Sequence, residues 1–62
     1  MRFVMKISMD NDCFVGRAPE EIARIFDEMK PSLHRLVGGE FTALKLRDEN
    51  GNLVGYARIE EE

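Results

Sequence analysis

The dipeptide Asn50-Gly51 constrains the fold of this chain more than any other feature, because it separates two runs of mixed apolar and polar residues. Both central residues of a type I′ turn need a positive φ angle, and Asn-Gly is a pair that adopts it readily. The stretch 40–60 therefore predicts a β-hairpin closed by a two-residue turn.

The register of this hairpin decides which side chains share a face. The two-residue turn places Leu44 opposite Ala57 and so matches a large residue with a small one. A three-residue turn with a bulge would shift the register by one residue and turn Val54 and Tyr56 inward. We prefer the two-residue turn, in which one face carries Thr42, Leu44, Leu46, Leu53, Gly55, Ala57 and Ile59. The opposite face carries Phe41, Ala43, Lys45, Arg47, Val54, Tyr56 and Arg58.

The upstream half predicts a strand and a helix that complete the fold. Residues 1–9 alternate between apolar and polar, which is typical of a half-buried strand with Arg2, Val4 and Lys6 on its polar side. Apolar residues then recur at helical spacing over 19–37, and Pro31 predicts a kink, or a helix 19–30 followed by a short turn 32–37. We expect an α+β fold, a single β-α-β-β domain over 1–62 with a three-stranded sheet, the third strand central, and a helix on one face.

Length and composition exclude several classes of protein. A chain of 62 residues with one cysteine has neither an intramolecular disulfide nor a cysteine-based metal site to support a small core. The formal charge of −3 makes general nucleic-acid binding an unlikely function. No apolar run approaches the roughly 20 residues of a membrane span. The alternating first residues do not resemble a signal peptide, so we expect a cytoplasmic protein.

No set of residues predicts catalysis. The carboxylates Asp10, Asp12 and Asp48 lack the spacing of a calcium loop and suit strand ends and turns instead. His34 has only Cys13 and Ser32 as nucleophiles to activate, and no spacing connects them. We therefore expect no enzyme activity, no metal site and no cofactor.

The hairpin face that the helix leaves uncovered is the candidate binding site. Aromatic residues and arginines are enriched where proteins bind each other. We rank a protein partner first, a solvated surface second and single-stranded nucleic acid third. The predicted binding residues are Phe41, Lys45, Arg47, Val54, Tyr56 and Arg58.

Three segments of this chain resemble segments found together in a group of small, mostly uncharacterised tailed-bacteriophage proteins. These segments are SMDNDCF at 8–14, EEIARIF at 20–26 and LRDENGNLVGYARIE at 46–60, and Pro31 departs from the uninterrupted helix of that group. The resemblance implies a non-catalytic phage accessory protein that binds and inhibits or modulates a host protein in the host cytoplasm, including an anti-defence role. The alternatives are a sponge that sequesters a nucleotide immune signal in a homodimer, and a structural or assembly protein.

Self-association is the last expectation. A small domain without disulfide or metal gains stability by covering a second apolar surface. We expect a homodimer in which Phe41, Val54 and Tyr56 meet their own copies, with edge-to-edge pairing of the two sheets as the competing geometry.

Overall fold

The computed structural model describes residues 1–61 as a small α+β domain in the predicted order β-α-β-β. Its elements are β1 (Arg2–Ile7), α1 (Ala18–Met29), α2 (Leu33–Val37), β2 (Leu44–Arg47) and β3 (Leu53–Glu60). The strands form one antiparallel sheet in the order β1-β3-β2, so β3 is central as predicted. Neither helix of the described part is long and apolar enough to span a membrane. Residue 62 of the predicted domain lies outside the described residues.

The helical segment is interrupted where Pro31 predicts it. Pro19 occupies the first turn of α1, where its missing N–H costs no helical hydrogen bond. Pro31 lies in a single 3₁₀ turn, Lys30–Ser32, between α1 and the five-residue α2. The second of the two predicted alternatives, a helix followed by a short separate turn, is therefore confirmed.

The core lies between α1 and one face of the sheet. The 3₁₀ turn Asp12–Phe14 after β1 adds two buried side chains to it. Ala57 at the centre of β3 is fully buried. The buried cluster consists of Cys13, Phe14, Ile25, Leu46 and Val54.

The hairpin turn differs from the prediction. The Asp48 N–H donates to the Asn52 carbonyl at 2.9 Å, and the Gly51 N–H donates to the Asp48 carbonyl at 3.0 Å. Three residues therefore separate Asp48 from Asn52, with Gly51 at φ 85° in the position that requires left-handed backbone. The expected two-residue turn is wrong.

A second irregularity restores the predicted pairing beyond the turn. Arg47 pairs with Leu53 but Leu46 pairs with Gly55, so Val54 is an extra residue in β3, a β-bulge. The pairs Leu44–Ala57 and Leu46–Gly55 then occur as predicted. At the bulge the predicted faces are exchanged, since Val54 is 8% exposed in the core and Leu53 is 57% exposed.

Gly55 lies where β1 approaches β3 most closely. A Cβ atom at this position would lie 1.9 Å from the Lys6 carbonyl oxygen, a backbone atom that cannot move alone. The close approach of β1 therefore requires glycine at this position. The expected pairing of Gly55 with Leu46 on β2 is also present.

Candidate functional site

The three segments 8–14, 20–26 and 46–60 each contribute residues to one hydrogen-bonded cluster at the hairpin end of the molecule. We call this cluster the turn network. Its members are Asn11, Glu21, Arg24, Asp48 and Asn52. Asp48 is only 3% exposed. Its carboxylate accepts hydrogen bonds from Asn11 Nδ2 at 2.8 Å, from the Asn52 backbone N–H at 2.8 Å and from the Asn50 N–H at 2.9 Å. One turn carboxylate thus ties the loop after β1 to the hairpin.

Glu21 anchors helix α1 to the same turn. This buried carboxylate accepts from Arg24 Nε at 2.7 Å and from the Glu49 backbone N–H at 2.9 Å. Arg24 Nη2 also donates to the Arg47 carbonyl at 2.8 Å. The Glu21–Arg24 pair therefore connects α1 to the end of β2 and to the turn.

The charges of the turn network are stabilised by their partners. The hydrogen bond from Arg24 holds the pKa of Glu21 below its ordinary value, and the same pair raises the pKa of Arg24. Burial opposes ionisation of Asp48, but N–H donors from Asn52 and Asn50 outweigh it, so the pKa of Asp48 is also lowered. Burial and the neighbouring Asp48 raise the pKa of the Cys13 thiol, which keeps it protonated at neutral pH.

The turn network offers no unused chemical group. Within residues 1–61 every buried side-chain nitrogen or oxygen has a hydrogen-bond partner. The described residues contain no group of three side chains placed to hold a metal ion. His34 is exposed on α2 and Cys13 is buried under the hairpin turn, where Asn50 Nδ2 donates to its sulfur. The arrangement suits a structural role, while the expected lack of catalysis stays a prediction.

The uncovered side of the sheet, the open face, carries a different kind of polar surface. Lys6 on β1 and Lys45 on β2 both pair with Tyr56 on β3, so the three side chains form one row across the sheet. Strand spacing puts the two lysine backbones roughly 10 Å apart. The Arg58 guanidinium lies over the Tyr56 ring, 5.1 Å from its centre, which is within range of a cation–π interaction.

Positive charge is concentrated on the open face. Pairing and alternation place five of the nine Lys and Arg residues there, namely Arg2, Lys6, Lys45, Arg47 and Arg58. The one acidic residue that the described strands add to it is Glu60, which contacts Arg2 and Arg58. Lys6 and Lys45 form no ion pair with any described residue. An acidic chain therefore presents one locally basic face, on which two ammonium groups have no acidic partner within residues 1–61.

Four of the six predicted binding residues share the open face, namely Lys45, Arg47, Tyr56 and Arg58. Val54 does not, because the bulge turns it into the core. Phe41 does not either, since β2 begins only at Leu44 and Phe41 instead lines a surface concavity together with Leu36 and Ile59. The structure thus removes two of the three side chains on which the face-to-face homodimer depended.

The open face also holds a residue that the sequence interpretation assigned elsewhere. Leu53 pairs with Arg47 and so shares its side of the sheet, where it is exposed. The signal for this exchange is the sequence Asp48-Glu49-Asn50-Gly51-Asn52, whose aspartate accepts N–H groups two and four residues later. Such a carboxylate favours the longer turn over a bare Asn-Gly turn.

Comparison with known protein families, with curated proteins and with solved structures finds no match to this chain. The resemblance to small phage proteins therefore stays a prediction.

Proposed function

We propose that this chain is a non-enzymatic binding protein whose open face docks an acidic patch on a protein partner. The observation that carries the proposal is the row Lys6–Tyr56–Lys45, in which two lysines that form no ion pair with a described residue flank an aromatic ring. Rings and basic groups of this kind are common in the energetic centres of protein interfaces. The basic face also steers an acidic partner toward the correct side of an otherwise acidic molecule.

A protein fits this face better than a nucleic acid does. Single-stranded nucleic acid is bound through several stacking rings along a basic groove, whereas Tyr56 is the one aromatic residue of the described open face. The remaining surface is acidic, with carboxylates such as Glu20 and Asp27 exposed on α1, and would repel a long polyanion. A local acidic patch meets the basic face without meeting those carboxylates.

The resemblance to small phage proteins supports a biological setting for this binding. We infer that the partner is a host protein in the bacterial cytoplasm and that docking inhibits or modulates it, including in defence against phage. The nucleotide sponge and the assembly protein stay as alternatives, and no observation on the open face favours either of them.

A capture experiment with matched charge reversals tests the proposal. The immobilised wild type, the double variant Lys6→Glu/Lys45→Glu and the control Lys30→Glu are incubated with nuclease-treated lysate of bacterial host cells. Lys30 is also an exposed lysine, but it lies on the helical side and pairs with Asp27. We expect a host protein that wild type and Lys30→Glu retain and that the double variant retains at least tenfold less, measured by quantitative mass spectrometry.

Two results would contradict the proposal. Identical proteins on all three baits would mean that the open face is not the binding surface. Capture that occurs from untreated lysate but not from the nuclease-treated lysate would show that nucleic acid, not protein, occupies the face.

A further inference from the structure

Strand β1 is an edge strand whose outer side has no hydrogen-bond partner among the described residues. The Ser8 N–H donates to the Val54 carbonyl at 2.7 Å, which fixes the direction of the backbone groups along β1. Because these groups alternate in an antiparallel ladder, Phe3, Met5 and Ile7 direct their N–H and C=O groups away from the sheet. Three of the six residues of β1 therefore have backbone N–H and C=O groups that point outward and have no partner among the described residues.

The side chains beside this edge are apolar and incompletely covered. Phe3 is 48% exposed and Met1 is 70% exposed, while Met5 and Ile7 are half-buried. The helices pack mainly elsewhere, α1 against β2 and α2 against β3. A long edge with exposed apolar side chains is the kind of edge that pairs with another strand.

We propose that a second copy of this chain occupies the edge, with the two β1 strands antiparallel about a two-fold axis through Met5. In this register Phe3 lies opposite Ile7 of the second copy, and Met5 lies opposite Met5 of the second copy. All three outward-facing residues then form hydrogen-bonded pairs, and the apolar side chains on the helix side meet each other.

Charge selects this register over its neighbours. With Met5 on the axis, Lys6 lies opposite Val4 of the second copy and Arg2 lies opposite Ser8. Moving the axis to Val4 would place Arg2 opposite Lys6, and moving it to Lys6 would place Lys6 opposite itself. Like charges directly opposite each other destabilise a sheet, so only the axis through Met5 uses the whole edge without such a pair.

The other edge of the sheet does not offer the same opportunity. Strand β2 has four residues, and Lys45 opposite Lys45 of a second copy would repel. Arg24 already donates to the Arg47 carbonyl on that edge. Self-pairing through β1 therefore gives a closed dimer with one continuous sheet rather than a growing fibre.

The dimer goes beyond the proposed function and changes its surface. Joining the β1 edges brings the two open faces side by side on one continuous sheet, so that Lys6 of each copy borders the other copy. A partner would then meet two Lys6–Tyr56–Lys45 rows on a single surface. The pairing itself does not depend on any partner, so its test stands apart from the capture experiment.

Cysteine cross-linking tests the register. Val4 and Lys6 of the second copy form a non-hydrogen-bonded pair, whose Cα atoms lie about 4.5 Å apart and so within the range of a disulfide. Under mild oxidation we expect the double variant Val4→Cys/Lys6→Cys to form a covalent dimer. Each single variant should stay uncross-linked, and wild type is the control for Cys13, which is buried. Cross-linking of Val4→Cys alone, or none in the double variant, would overturn the register.

Sedimentation tests the dimer without a cross-link. We expect wild type to sediment as a dimer at micromolar concentration, and Phe3→Glu to raise the dissociation constant at least tenfold by placing a carboxylate at the apolar seam. Phe41→Glu is the matched control, because Phe41 is 37% exposed but lies off β1. A wild type that stays monomeric up to millimolar concentration, or a Phe3→Glu variant that dimerises like wild type, would overturn the proposal.

Discussion

The turn network and the open face are both rich in charged side chains, yet they use charge in opposite ways. In the turn network Glu21 and Asp48 are at most 3% exposed, and their oxygens accept N–H donors from three separate parts of the chain. On the open face Lys6 and Lys45 are exposed and have no ion pair with a described residue. A buried polar group must be bonded or it destabilises the fold, whereas an exposed one is solvated by water.

This difference separates residues that make the fold from residues that are free to bind. The segments 8–14, 20–26 and 46–60, which carry the resemblance to phage proteins, each contribute at least one side chain to the turn network. There each of these side chains has a specific hydrogen-bond partner. The open face requires only that its residues lie on the same side of the sheet. Alternation of residues along each strand is enough to place them there. A recognisable motif in a small protein can therefore mark its folding rather than its function.

The largest predicted effect is that of Asp48→Ala, which breaks the turn network at its centre. The change leaves Asn11 Nδ2 and the N–H groups of Asn50 and Asn52 without their acceptor in a partly buried site. We expect the melting temperature to fall by on the order of 10 °C or more, measured by circular dichroism.

The control is Asp10→Ala, because Asp10 is exposed and, among the described residues, accepts only from the Ser8 hydroxyl. The Asp10→Ala change should lower the melting temperature by a few degrees at most.

The effect of Asp48 also depends on pH. A lowered folded-state pKa stabilises the fold above the unfolded pKa, and this stability is lost as the pH falls. The difference between wild type and Asp48→Ala should therefore shrink below about pH 4. A difference that is small at pH 7, or that grows in acid, would contradict the assigned role.

The next largest effect is that of Gly55→Ala, which acts on the open face through the backbone of β1. The new methyl group meets the Lys6 carbonyl, so β1 must move away from β3. We expect a loss of about 1–3 kcal/mol in the free energy of unfolding, measured with urea, because overpacking costs this much. Since Lys6 moves with β1, capture of the partner should weaken as well.

Gly16→Ala is the matched control for Gly55→Ala. Gly16, unlike Gly55, has a positive φ, at 71°, and a Cβ atom there meets nothing within 4 Å. It should lose only the penalty for left-handed backbone, about 1 kcal/mol, and leave the open face intact. Equal losses from both substitutions, together with partner capture that Gly55→Ala leaves unchanged, would argue against the close approach of β1 and β3.

The order of the elements, the interruption at Pro31 and the pairs Leu44–Ala57 and Leu46–Gly55 were predictable from the sequence. Helical and strand periodicities are local, and a mismatch of large and small residues would have been costly in any other register. The exchange of Leu53 and Val54 was not predictable in the same way. It requires two compensating irregularities, a longer turn and a bulge, and the bulge depends on how β1 and β2 pack against β3.

The candidate site was predictable in part for a related reason. Lys45, Tyr56 and Arg58 lie in regularly paired strand, and Arg47 keeps the alternation of β2 although the bulge lies opposite it, so their shared face follows from alternation along each strand. Phe41 was misplaced because the strand was extended back to the helix end, whereas β2 begins only at Leu44. Outside a regular strand, alternation does not decide on which side the Phe41 side chain lies.

The smallest predicted effect on stability is that of the double variant Lys6→Ala/Lys45→Ala. Exposed side chains without a partner add little to stability, so the free energy of unfolding should change by less than about 0.5 kcal/mol. Removing two charges from a face that also holds Arg2 and Arg58 relieves repulsion, so any change should be toward higher stability and should fade at high salt. Urea unfolding at two ionic strengths measures both the sign and the salt dependence. A loss above about 1.5 kcal/mol would mean that the lysine stems pack on Tyr56 as part of the fold, and the contrast with the turn network would then disappear.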